Sequence, residues 1–158
     1  MKIFPSGLLF FAGFVAMPAT VAPSEPFRSI AEYRNDPRLK FLERFFQRFN
    51  CPVEHLSIEF LRAADIHNLD WRLLPSISLV ESGGGREARN NNLFGWDNGR
   101  AVFPDWVAGI HTVASRLANS KLYRDKKLDQ VLWTYNPNTG YGALVKSVMR
   151  RISPSANP

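Results

Sequence analysis

The sequence of 158 residues has a single cysteine, Cys51, and three histidines. No intrachain disulfide can form, so stability has to come from packing, and Cys51 reads as a small buried hydrophobe. His55, His67 and His111 share no ligand spacing with one another or with Cys51, so no metal and no cofactor is expected. Neither a Gly-x-Ser-x-Gly elbow nor a phosphate-binding glycine motif occurs, which leaves acyl and phosphoryl transfer without support. Long hydrophobic runs are lacking too. The apolar stretch from Gly7 to Met17 falls short of the about 20 residues that a spanning helix needs. Internal repeats and the strand–helix alternation of a parallel sheet are also missing.

What is present suits one domain with an ordinary core, since 45% of the residues are hydrophobic and 13% aromatic. Lys2, the run from Gly7 to Met17 and the small residues Ala19, Thr20 and Ala22 have the layout of a signal peptide over residues 1–22. The expectation is an exported protein, periplasmic or secreted, with no stable membrane insertion once the leader is cleaved. Twenty basic against 14 acidic residues give a charge of +6, of which the leader carries only Lys2. Such a balance suits nucleic acid, anionic lipid or a bacterial wall, and export favours the wall. The Lys and Arg are scattered along amphipathic helices rather than gathered in a stripe, so nucleic acid is not the expected partner.

Residues 23–36 and 153–158 mix Pro, Ser and charge without apolar periodicity and read as flexible flanks of a domain over 37–152. Within it, Leu39, Leu42, Phe45, Phe46 and Phe49 recur at spacings of three and four, which predicts a helix from Pro37 to Asn50. A second helix is expected from Pro52 to His67, stopped by Asn68. A third runs from Trp71 to Ser82, capped by Asp70, apolar nearly all round and so central in the core, with Pro75 in its first turn if it begins near Leu74. Gly83, Gly84 and Gly85 end it and would free the backbone to approach a ligand. Asp97-Asn98-Gly99, between Leu93–Trp96 and Arg100–Phe103, signals a β-hairpin. Helical periodicity returns over Pro104–Leu117, Asp125–Tyr135 and Tyr141–Ile152. The expected fold is mainly α (α+β), a monomeric helical domain with one short inserted hairpin. Trp71, Trp106 and Trp133 fall on apolar faces and are expected in the core.

Glu81 closes the most apolar of these helices. Burial disfavours a charged carboxylate and raises its pKa, as a proton donor working near neutral pH requires. Position alone does not separate this from a solvated helix end.

The neighbouring motifs do. Ala63–Asp70 leading into Leu73–Gly83, then Asn91-Asn92-Leu93-Phe94-Gly95-Trp96, then the pair Tyr135 and Tyr141 resemble, in order and spacing, the bacterial glucosaminidase and lytic transglycosylase family of lysozyme-like peptidoglycan hydrolases. The resemblance covers Leu56 to Ile152 and implies a lysozyme-like fold, with peptidoglycan glycan strands as partner. It also implies cleavage of β-1,4 bonds between N-acetylated amino sugars, by an endo-β-N-acetylglucosaminidase or a lytic transglycosylase. Glu81 would then be the general acid, and Tyr135 would face it and stabilise developing charge. Ser82 would place the substrate or the Glu. Asn92, Phe94 and Gly95 would floor the cleft, while Trp96 and Tyr141 would stack on sugars. Tyr135-Asn136 is nearer the Tyr-Asn of lytic transglycosylases, and Asn136 joins the binding set on that ground.

Each assignment has a structural rival. Phe94 and Tyr141 suit the core equally well, and Asn92 suits a turn. A second carboxylate, about 5 Å from the acid in a retaining and 6.5–9.5 Å in an inverting mechanism, has Asp97 and Glu87 as candidates. Without one, the substrate's own N-acetyl oxygen or its 6-hydroxyl can complete the reaction.

Overall fold

A computed structural model describes residues 28–156, and the chain there is mainly α. Seven α-helices follow one another: α1 (Ile30–Arg34), α2 (Pro37–Arg48), α3 (Ser57–Ile66), α4 (Leu73–Ser82), α5 (Trp106–Asn119), α6 (Leu128–Tyr135) and α7 (Tyr141–Ile152), with a 3-10 turn over Pro52–Leu56 leading into α3. The leader expected over 1–22 lies outside the described residues.

Local chemistry sets the helix ends. Asp36 accepts from the Arg38 N–H and Pro37 occupies the first turn, so α2 starts one residue after its cap. Asn68 at φ 50° breaks the chain after α3. Asp70 Oδ1 accepts from the Arg72 N–H at 3.0 Å, and α4 begins at Leu73 with Pro75 in its first turn, where a missing N–H costs nothing. In α4, Leu73, Leu74, Pro75, Ser76, Ile77 and Ser78 are all buried, so this helix is the one the others enclose. It packs on α7, while α3 packs on α2 and α5. Phe46, Phe60, Phe94 and Leu74 are completely buried between them.

Four expectations need correcting. First, no strand occurs among the described residues, whose one isolated bridge pairs Arg89 with Asn92. Asp97 and Asn98 both have positive φ (54° and 52°), so the tight turn forms, but its flanks do not pair into a ladder. Leu93 and Phe94 are instead buried in the helical core, and the Phe103 N–H turns to the Asn90 carbonyl at 3.0 Å. Second, the stretch 28–36 is not a loose flank. Ser29 caps α1 in a capping box with Glu32, and Tyr33 is buried. Arg38 bridges Asp36 and Asp65 at 2.7 Å each, and Arg28 reaches the same two carboxylates at 2.7 and 3.1 Å. Third, residues 153–156 are tied down: Trp71 Nε1 donates to the Ala156 carbonyl at 2.6 Å and Arg72 Nη1 to the Ser153 carbonyl at 2.9 Å. Fourth, Trp133 is 58% exposed, whereas Trp71 is buried and Trp106 packs on the core from its edge.

Candidate active site

Glu81 continues a stripe. Leu74, Ile77 and Ser78 lie seven, four and three residues before it, hence on the same face of α4, and all three are completely buried. Gly83 ends the helix in the left-handed conformation, its N–H on the Leu79 carbonyl and the Gly84 N–H on the Ser78 carbonyl, each at 3.0 Å. The core face of α4 therefore closes on a carboxyl, which opens into a cleft of ≈ 800 Å³ shared with Gly95, Trp96, Arg116, Tyr135 and Asn136. That volume lies within the ordinary range for ligand sites, about 300–1,000 Å³.

The glycines after Glu81 do not face this cleft. A Cβ on Gly84 would lie 2.5 Å from Cys51 Sγ, so the chain there is pressed against the start of the 3-10 turn and not toward a ligand. Gly95 is the residue that yields space to the site. At φ 60°, a Cβ would fall 2.7 Å from Glu81 Oε2, so only a bare backbone lets the carboxyl lie over this segment.

The 92–96 segment is held from both sides. Asn92 is buried and closes its own loop, Nδ2 donating to the Trp96 carbonyl at 3.0 Å and Oδ1 accepting the Trp96 N–H at 2.9 Å. Asn90 and Asn91, both at positive φ, turn the chain just before it. Ser82 is buried, with its hydroxyl 2.8 Å from the Leu93 carbonyl and 3.1 Å from that of Ser78, so it fastens the end of α4 to this segment and does not line the cleft. Phe94 is a core residue, ring to ring with Phe60 at 6.4 Å. Of the floor expected from Asn92, Phe94 and Gly95, only Gly95 lines the cleft.

The two tyrosines exchange parts relative to expectation. Tyr141 hydroxyl donates to Glu81 Oε1 at 2.7 Å, whereas Tyr135 hydroxyl donates to the Phe94 carbonyl. Their rings stack at 6.0 Å and 6°. Trp96 sets its edge on Tyr135 at 5.7 Å and tilts against Tyr123 at 5.9 Å, giving the cleft an aromatic wall. Asn136 lies on the rim, its Oδ1 accepting the Asn138 N–H at 3.1 Å.

Electrostatically the Glu81 carboxyl is pushed above its ordinary pKa. Burial drives the rise, and the Tyr141 hydrogen bond only partly opposes it. The negative end of α4 acts in the same direction as burial. Oε1 is occupied by Tyr141, which leaves Oε2, over Gly95, to carry the proton into the cleft. Both tyrosine hydroxyls are raised, by burial first and then by the nearby carboxylate, so they remain protonated donors.

Neither candidate second acid sits like Glu81. Asp97 lines the cleft but is exposed and paired with Arg100 at 2.8 Å, and Glu87 is exposed and outside the lining. Two lining residues, Arg116 near the end of α5 and Tyr123 after it, carried no sequence signal. Among the described residues no group of three His, Cys, Asp or Glu side chains gathers as a metal site, and no helix is long and apolar enough to cross a membrane. Compared with known proteins, the chain matches no family model, no curated protein and no solved structure.

Proposed function

We propose that this chain is an exported glycosidase of lysozyme-like fold that cleaves the glycan strands of peptidoglycan, with Glu81 as general acid. The observation that carries the reading is a half-buried carboxyl with raised pKa, fixed by Tyr141 on one oxygen and open to a wide aromatic cleft on the other. Such a group stays protonated to higher pH than a surface carboxyl and can give its proton to a glycosidic oxygen as the bond breaks. Trp96 and Tyr135 supply the flat apolar surfaces that sugar faces stack on, and Asn136 a polar rim. Tyr135 remains beside Glu81 as a positioning group whose hydroxyl holds the Phe94 carbonyl.

Lytic transglycosylation is a second reading, favoured by one feature. Among the described residues Glu81 and Asp97 are the only carboxylates lining the cleft, and Asp97 is exposed and bound to Arg100. A mechanism with one acid suits that arrangement. Glu81 protonates the leaving oxygen, the substrate's N-acetyl oxygen or 6-hydroxyl attacks the anomeric carbon, and Glu81, now a carboxylate, takes up the proton released by the incoming hydroxyl or water. A 6-hydroxyl attack leaves an anhydro sugar, and water leaves a reducing end.

The test is digestion of purified wall by the wild type and by Glu81→Gln, with products identified by mass spectrometry. Fragment release should fall by about 10²–10⁴-fold in the variant. Equal release by the two proteins would remove Glu81 from the chemistry, and binding without release by either would make the domain a non-catalytic wall binder.

A further inference from the structure

Arg116 stands apart among the cations near the cleft. Arg100, across the turn, is committed to Asp97 at 2.8 Å. Arg116 lines the same cleft as Glu81, is exposed, and has no carboxylate partner among the described residues. The lining offers it none among the described residues: of its two carboxyls, Asp97 is paired with Arg100 and Glu81 accepts from the Tyr141 hydroxyl. The cleft therefore carries a guanidinium that no carboxylate of the described residues balances. An uncharged sugar chain offers a guanidinium only neutral hydroxyl and amide acceptors. A chain bearing carboxylates offers it a charged one, because a guanidinium holds a carboxylate through two parallel N–H donors.

We infer that Arg116 selects a glycan carrying an acidic substituent, a carboxylate on or next to the sugar seated in the cleft, over a neutral glycan of the same backbone. This deepens the reading of the site as a glycan-cleaving cleft and rests on it. The place of Arg116 in the last turn of α5 also suits the negative end of that helix. A cation there for the helix alone would have no effect on ligand choice, which is what the experiment separates. Among the described residues the side chain makes no hydrogen bond or ion pair that holds the fold, and the Ser120 N–H caps α5 on the Arg116 backbone carbonyl at 3.2 Å, which any residue supplies.

The experiment measures equilibrium binding of two soluble tetrasaccharides, chitotetraose and the alternating N-acetylglucosamine–N-acetylmuramic acid tetrasaccharide with free lactyl carboxylates. Glu81→Gln is the background, so that turnover does not intervene. Adding Arg116→Ala should weaken the acidic tetrasaccharide by about five- to tenfold and leave chitotetraose within about twofold. Arg116→Lys should recover part of the loss, and raising salt should erode the preference. Equal weakening of both ligands, no weakening of either, or no binding of the acidic ligand at all would each overturn the inference. Failure of the catalytic reading looks different: wild-type protein that leaves wall uncut yet binds the acidic glycan through Arg116 would keep this inference and remove the enzyme.

Discussion

Two sets of carboxyls removed from full solvent, the pair Asp36 and Asp65 where α1, α2 and α3 meet and Glu81 at the end of α4, are shifted in opposite directions. Asp36 and Asp65 lie among guanidiniums. Burial alone would raise both, but the hydrogen bonds from Arg38 and Arg28 outweigh it and hold Asp36 at about 2 and Asp65 below its usual value. Glu81 is buried to a similar depth among tyrosines, tryptophan and the end of a helix. Its one donor, Tyr141, is neutral, so burial prevails and the carboxyl rises. The same functional group thus fastens the fold in one place and is shifted toward its protonated form in the other. What differs is the donors: guanidiniums, helped by the Arg38 N–H and the Tyr33 hydroxyl, surround Asp36 and Asp65, whereas Glu81 meets a single neutral hydroxyl at the negative end of a helix.

The comparison can be broken first at the fastening. Arg38→Ala would leave the 5%-exposed Asp36 side chain and Asp65 with the more exposed Arg28 as their one cation among the described residues. It should lower unfolding free energy by about 2–3 kcal/mol in urea titrations, without moving the Glu81 titration. In the wild type the Asp36 contribution is complete above the unfolded carboxyl value of about 4 and is lost as pH falls through about 2, because its folded pKa is the lower one. Arg38→Ala should flatten that acid limb. If stability of the variant keeps the wild-type pH profile, the charged cluster does not fasten α1 and α2.

A smaller effect is expected where the backbone approaches the acid. Gly95→Ala places a methyl at φ 60° and 2.7 Å from Glu81 Oε2. The left-handed conformation costs about 1–2 kcal/mol in thermal unfolding. Displacement of the carboxyl should lower wall-fragment release by tenfold or more, given that misplacement by about 1 Å can cost about 10²-fold. Unchanged release at lowered stability would mean that Oε2 is not the oxygen at work.

The smallest effect has the opposite sign. Since the folded pKa of Glu81 lies above the unfolded one, keeping it ionised at neutral pH works against the fold. Glu81→Gln should raise the melting temperature at pH 7 by about a few degrees and leave it unchanged near pH 3, where both states are protonated. A drop at pH 7 would indicate that the carboxylate is stabilised where it sits.

These regions also differ in how much of them the sequence discloses. The bounds Tyr141–Ile152 follow from apolar spacing alone, and α2 and α4 nearly so, because each helix has a core to face. Glu81 is legible as a carboxyl closing an apolar helix. By contrast α1, five residues long, has a local capping box in Ser29 and Glu32, but what holds it to the core is Tyr33 and Arg28 on Asp65, distant in the chain, which no local pattern records. The turn at Asp97-Asn98 is written in its residues, but whether strands flank it depends on Phe94 finding Phe60 across the core. The division of labour between Tyr135 and Tyr141, and the arrival of Arg116 in the cleft, are set by helix packing after the elements form.

The most direct test of the central contrast is a carbon-13 carboxyl NMR titration of Glu81 in the wild type and in Tyr141→Phe. The expected midpoint in the wild type lies above the ordinary glutamate value of about 4.3, and in Tyr141→Phe it rises further, because the lost hydroxyl stabilised the ionised form. A wild-type midpoint at or below about 4.3, or a fall on removing the hydroxyl, would contradict the account of Glu81 as a carboxyl shifted toward its protonated form.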